Sequence, residues 1–242
     1  MDFHRIMNEN NDSIANSCIA LIGGGGKTSL MRKLGKELTT KYQKVILSSL
    51  TKSRYNVDDN IVYYKQFASD DIQIHNDNPV FIMKSRLDDY KLIGISESEL
   101  HNIYKVSDIT IFECDGAKQL PLKVHNDYDP MVPDFATHVI ILVGADAVNV
   151  KISDNKVHRP SLFKEYWNIT DNCILDYDFI AKIVTSKRGY LKKIIHDPKL
   201  IYFINKSDDY SEQARVLAQH ISKRSNCPTY YGSIESNYWK HA

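Results

Sequence analysis

Cysteine is scarce and scattered in this chain. Cys18, Cys114, Cys173 and Cys227 stand far apart among 242 residues, with no close pair, which removes a disulfide framework and a thiolate metal knuckle from consideration. A continuous apolar run long enough to cross a bilayer is also missing, and Met1-Asp2-Phe3-His4-Arg5 does not open a secretory signal. Nor is there a surplus of charge of either sign. Thirty-one basic against thirty acidic side chains leave a net charge of +1, too little to recruit nucleic acid or a membrane surface. A reduced, cytoplasmic protein is expected, with no nucleic-acid and no membrane partner. In such a setting Cys18 and Cys114, both inside apolar runs, pack as small hydrophobes.

Glycine is sparse too, yet four of the ten glycines fall in one run. The apolar stretch Cys18-Ile19-Ala20-Leu21-Ile22 leads into Gly23-Gly24-Gly25-Gly26-Lys27-Thr28-Ser29, followed by Leu30-Met31-Arg32-Lys33-Leu34. Glycines let a backbone wrap an anion with its N–H groups pointing inward, and the next helix brings its positive end to the same place. Lys27 supplies a point charge for the outer phosphates, and the Thr28 hydroxyl suits a magnesium ion. The run reads as a phosphate-binding loop (P-loop) of variant form: strict spacing wants a glycine at position 21, where Leu21 stands. A nucleoside triphosphate with Mg2+ is the expected ligand.

The rest of the chain alternates strand-like and helix-like runs. Residues 1–16 are polar and asparagine-rich and read as a flexible arm, and 17–242 as a single domain. A strand over Ser17–Ile22 precedes a helix over Lys27–Lys41, with Leu30, Leu34 and Leu38 at helical spacing. Val45-Ile46-Leu47 is a second strand. The runs at 61–64, 80–83 and 92–95 suggest a strand near the sheet plus a hairpin. Ser96-x-x-Glu99 has the form of a capping box and starts a helix over 97–104. Further strands are expected at 108–114, 138–144, 199–204 and around 229–231, with helices over 177–187 and 211–224. Near-continuous apolar strands separated by helices imply a three-layer α/β domain of the P-loop NTPase kind, its mainly parallel sheet covered by helices on both faces.

Two further segments carry chemistry. Glu113 and Asp115 lie two apart at the carboxyl end of a strand and so point to one face, at the edge where ligands gather in open α/β sheets. Asp115 is favoured over Glu113 as the acid opposite Thr28 that organises magnesium and the attacking water. Later, Asn205-Lys206-Ser207-Asp208 follows an apolar strand. In this pattern the carboxylate accepts hydrogen bonds from guanine, the lysine stem packs on the base and the asparagine ties the segment to the loop. GTP is therefore preferred over ATP. Lys118, Lys123, His158 and Arg159, with Thr51-Lys52, could also reach the carboxyl edge. Lys118, His158 and Arg159 stand out among them for a substrate or partner.

These segments together resemble the YqeC-like family, described as accessory proteins of selenium-dependent hydroxylases and linked to molybdenum-enzyme maturation. The resemblance rests on Ile22–Met31; on Glu113-Cys114-Asp115-Gly116-Ala117-Lys118-Gln119-Leu120-Pro121-Leu122-Lys123; on Val143-Gly144-Ala145-Asp146-Ala147; on Val157-His158-Arg159-Pro160 with Leu162-Phe163; and on Asn205–Asp208. It departs at Ser48-Ser49-Leu50-Thr51-Lys52, where threonines are usual, and at Lys118, where arginine is common. The resemblance implies a nucleotide-binding accessory factor with a client enzyme. On the residues themselves, the leading expectation is a slow GTPase: Gly24–Thr28 hold the β- and γ-phosphates, Lys27 and Asp115 are catalytic, and a partner accelerates turnover. A small-molecule kinase, with Lys118, Lys123 and Arg159 gripping an anionic acceptor, is the alternative. A non-hydrolysing nucleotide-binding module is the third.

Overall fold

The computed structural model describes residues 2–8, 13–68 and 79–242. In chain order its strands are β1 (Ser17–Gly23), β2 (Val45–Ser49), β3 (Ser53–Arg54), β4 (Asn60–Tyr63), β5 (Val80–Met83), β6 (Ser85–Arg86) and β7 (Lys91–Ile93). They continue with β8 (Ile109–Glu113), β9 (Leu122–Lys123), β10 (His138–Gly144), β11 (Val157–His158), β12 (Lys199–Asn205), β13 (Thr229–Ser233) and β14 (Tyr238–His241). The α-helices are α1 (Lys27–Leu38), α2 (Tyr64–Ala68), α3 (Glu97–Val106), α4 (Pro160–Trp167), α5 (Tyr177–Thr185) and α6 (Ser211–Ser225).

Nine strands form one sheet in the order β14-β13-β12-β10-β1-β8-β2-β5-β4. Every pairing in it is parallel except β13 with β14. The fold is therefore mixed α/β with a largely parallel central sheet. Its strands alternate strictly between two cores. Cys18, Ala20 and Ile22 of β1 join the side packed by α3, α4, α5 and α6, whereas Ile19 and Leu21 join the side packed by α1. That period of two, with both faces apolar, explains why the strands read as unbroken hydrophobic runs.

Local chemistry sets the element ends. Helix α3 begins at the expected capping box, with Glu99 N donating to Ser96 Oγ at 3.3 Å and Ser96 N to Glu99 Oε2 at 2.8 Å. Helix α1 stops at Leu38, short of the expected Lys41, because Thr39 and Thr40 turn their hydroxyls back onto the carbonyls of Lys36 and Glu37. The expected hairpin is β6–β7. It belongs not to the main sheet but to a small separate one, in the order β3-β7-β6. Helices α2 and α4 and the antiparallel edge strand β14 had no clear signal in the sequence.

The N-terminal stretch departs from the expected loose arm. Phe3–Met7 forms a 3-10 helix whose Phe3, Ile6 and Met7 are buried. Phe3 meets Phe203 edge-on, ring centroids 5.5 Å apart, and Trp239 Nε1 donates to Asp2 O at 3.2 Å. Asparagine content hid three apolar residues at helical spacing that complete the core beside α1. Phe3→Ala is expected to lower unfolding free energy by about 3 kcal/mol, the usual cost of emptying a buried aromatic site. A urea midpoint within error of the wild type would show the segment to be dispensable.

Candidate functional site

The glycine run turns the chain from β1 into α1 at the carboxyl edge of the sheet. Gly25 has φ +80° and Gly26 φ +124°, and neither position has room for a side chain. A Cβ at Gly25 would lie 2.4 Å from Gly144 N, and one at Gly26 2.7 Å from Asn205 Nδ2. Three loop amides are already committed to the protein: Gly23 N to Asp115 Oδ2, Gly24 N to Leu142 O and Gly25 N to Leu120 O, each at 3.0 Å. Leu30 N is the first amide bonded back into α1, to Gly26 O at 3.0 Å. The amides ahead of it project from the positive end of the helix.

Lys27 is folded back into this loop. Its Nζ donates to Gly23 O at 2.6 Å and pairs with Asp115 Oδ1 at 3.0 Å. Thr28 Oγ1 donates to Glu113 Oε1 at 2.5 Å. The two carboxylates of β8 thus have different tasks. Glu113 lines the cleft in front of the loop together with Thr28, and burial pushes its carboxyl above the ordinary range despite Lys27. Asp115, expected to be the leading metal-side acid, is fully buried behind the loop. Burial alone would raise its carboxyl, but Lys27, Lys123 and the His125 hydrogen bond outweigh that and hold it well below the usual carboxylate range.

Behind Asp115 runs a chain of buried charges. His125 Nε2 lies 2.6 Å from Asp115 Oδ2. Burial pushes the imidazole's pKa below the ordinary value; an ionised carboxylate can only accept, so Nε2 carries the proton of this contact and donates it. Lys123, with no exposed surface, reaches Asp115 at 3.3 Å, Asp129 at 2.5 Å and Gly116 O at 2.8 Å. Arg159 Nη1 then donates to both Asp129 oxygens, at 2.9 and 3.0 Å. Asp115, His125 and Asp129 could offer three ligand atoms within 4.8 Å of one another. The Lys123 ammonium already contacts both carboxylates of that group and balances their charge.

On the other flank, Asn205 locks the end of β12 to the loop. Its Nδ2 donates to Gly25 O at 2.7 Å and its Oδ1 accepts from Ile234 N at 3.0 Å. Lys206 Nζ pairs with Asp146 Oδ2 at 2.9 Å, and Asp208 Oδ2 accepts from Ser233 Oγ at 2.9 Å. The loop 233–235 after β13 completes this side. Nothing in its sequence had marked it, and only the small residues at Gly232 and Ser233 hint at a close approach.

A cleft of about 1260 Å³ runs along this edge, lined by Gly25–Ser29, Glu113, Lys118, Gln119, Asn205, Lys206 and Asp208, and by further residues discussed below. Gly23 and Gly24 lie behind the wall rather than in it. Of the residues expected to meet a substrate or partner, Lys118 lines the cleft, whereas His158 and Arg159 do not. Lys123 and Arg159 are spent on Asp129, so the grip on an acceptor expected from Lys118, Lys123 and Arg159 together is not built. His158, in β11 beside β9, has its imidazole pushed down to about 4 by burial and by Arg159.

The YqeC family model matches residues 19–161, more than half of the 242 residues and covering the loop, the β8 acids and the buried charge chain. The chain belongs to the YqeC family. It is also similar to the Escherichia coli K12 protein named "Uncharacterized protein YqeC", at 23% identity over 205 residues, covering 83% of this chain and 79% of that one. No helix among the described residues is long and apolar enough to cross a membrane.

His125, His138 and His158 all fold with imidazoles held below the ordinary 6.5, the latter two at about 4, mainly through burial. Unfolding restores the ordinary value, so between these pH values the unfolded chain binds more protons and stability falls as pH drops. The depressed Asp115 carboxyl contributes in a lower window, below its ordinary 3.8. Urea midpoints should decline as pH is lowered from about 6.5 towards 4. The raised Glu113 carboxyl works the other way, so a flat profile over that range in the Glu113→Gln variant would contradict the depressed histidines.

Proposed function

We propose that this protein is a magnesium-dependent nucleotide-binding protein with a preference for GTP and slow intrinsic hydrolysis. The observation that carries the reading is convergence. The projecting helix-end amides after Gly26, the Thr28–Glu113 pair and the Asn205–Asp208 segment all open into one cleft, and Asn205 is pinned to Gly25 of the loop. Phosphates would lie on the amides of Gly26–Ser29, with Lys27 released from Gly23 O to reach the outer ones. Asp208, exposed in the cleft and steadied by Ser233, would accept from a guanine edge.

The donor set in front of the loop, a threonine hydroxyl touching a carboxylate, suits a hard divalent cation. Thr28 and Glu113 would hold magnesium, which when bound neutralises charge on the phosphates. Asp115 holds the ammonium of Lys27 and the amide of Gly23 and so positions the loop. The client-enzyme role, in molybdenum- or selenium-dependent hydroxylase maturation, rests on the family resemblance and belongs to this proposal.

Calorimetry with GTP, ATP and their diphosphates, with and without magnesium, tests it. GTP is expected to bind more tightly than ATP by about tenfold or more, a preference that collapses in Asp208→Asn because a buried or stacked base edge loses its partner. Glu113→Gln should weaken magnesium dependence while leaving magnesium-free nucleotide affinity unchanged. Equal affinities for the two nucleotides, unmoved by Asp208→Asn, would remove the base-reading role. Absence of any nucleotide binding would remove the whole reading.

A further inference from the structure

The strand order fixes a direction along the cleft. From β12 through β10, β1 and β8 to β2, the carboxyl ends present in turn Asn205–Asp208, the glycine loop with Thr28, Glu113, and then the segment Lys52–Asn56. A nucleotide laid as proposed above occupies the first part and ends at Glu113. The cleft continues past it, against the small β3-β7-β6 sheet.

That far wall is cationic. Nine basic side chains line the cleft against three acidic ones, Glu113, Asp208 and Glu235, although the chain as a whole carries only +1. Arg32 is committed to Asp59 by two hydrogen bonds. Lys52, Arg54, Lys91 and Lys118, all exposed, have no carboxylate partner among the described residues. Arg54 and Lys91 are moreover register partners across the antiparallel β3–β7 ladder. Like charges directly opposite on one face of such a ladder repel and destabilise it, and an anion between them would reverse the sign of that interaction. Tyr55 beside them is held by the Arg86 guanidinium, 4.5 Å above its ring, and Tyr55 N donates to Tyr90 O at 2.9 Å.

We infer that Lys52, Arg54, Lys91 and Lys118 form a site for a second ligand, a phosphate-bearing small molecule held beside the nucleotide and beyond its terminal phosphate. The inference rests on the nucleotide reading for its neighbour, and on the strand order and the unpaired cations for itself. A magnesium–nucleoside triphosphate already meets Lys27, Thr28 and the helix end; its charge leaves these four cations unanswered.

The test uses inorganic pyrophosphate as probe, titrated calorimetrically into the full chain preloaded with magnesium and a non-hydrolysable GTP analogue. One saturable event is expected, weakened at least tenfold in Lys52→Ala/Lys91→Ala, with nucleotide affinity unchanged within about twofold, as expected when a few charge-assisted contacts are lost. Both side chains are exposed, and an unchanged melting temperature would confirm that the variant is folded. No saturable event on the loaded protein, or one that the double variant leaves unaltered, overturns the site. If no nucleotide loads at all, the preceding reading fails on its own account. The same titration on the free protein then decides the wall: tenfold weakening in the variant keeps the site, and equal binding removes it.

Discussion

The Lys27 ammonium, 3.0 Å from an Asp115 carboxylate that has no exposed surface, is the interaction on which the rest of this edge depends. Neither charge is tolerable there alone, since an unpaired buried ion costs several kcal/mol. Their pairing ties the first residue of α1 to the turn after β8. Asp115 also takes the Gly23 amide, and so holds the loop at its entry as well as at its exit. Because Lys123 and His125 share the same carboxylate, the loop is braced from behind by β9 and the segment after it. Removing Asp115 would therefore strand the Lys27 ammonium and leave Lys123 with Asp129 alone for a carboxylate.

This bracing changes what the glycines mean. Three of the loop amides are already bonded to the protein, and at Gly25 and Gly26 the neighbouring backbone and Asn205 leave no space for a Cβ. Packing alone thus accounts for glycine at these positions, with or without an anion. The weight of a ligand reading shifts from the number of glycines to what stands around them. Those surroundings are the projecting helix-end amides, the Thr28–Glu113 contact and the Asn205 bridge from a strand 180 residues further along the chain.

Much of the fold was legible in the sequence because its strands are buried on both faces and read as apolar runs at 17–22, 108–114, 138–144 and 199–204. The capping box at Ser96 was legible for the same local reason: its partners are three residues apart. What could not be read was whatever depends on long-range closure. Phe3 and Ile6 join the core only because β12 and α1 leave a hollow for them. The division of labour between Glu113 and Asp115 was equally hidden. Their spacing puts both on one face, but the chain turns after β8, so one carboxylate faces Thr28 and the other faces Lys27. Lys123 and Arg159 read as free surface cations until Asp129 is seen between them.

The two kinds of cation at this edge make the remaining point. Lys27, Lys123 and Arg159 are each matched by a carboxylate, with short bonds and little or no exposure for the first two, as structural charges must be. Lys52, Arg54, Lys91 and Lys118 are exposed and gathered on the cleft walls, with two of them set opposite each other in one ladder. A chain so nearly neutral had acids to spare for those positions, and salt screening moderates the repulsion between exposed like charges without making it favourable. Among the described residues, the same edge thus satisfies its buried charges internally and leaves these four exposed cations to be satisfied from solution, the distribution expected of a surface that meets anions.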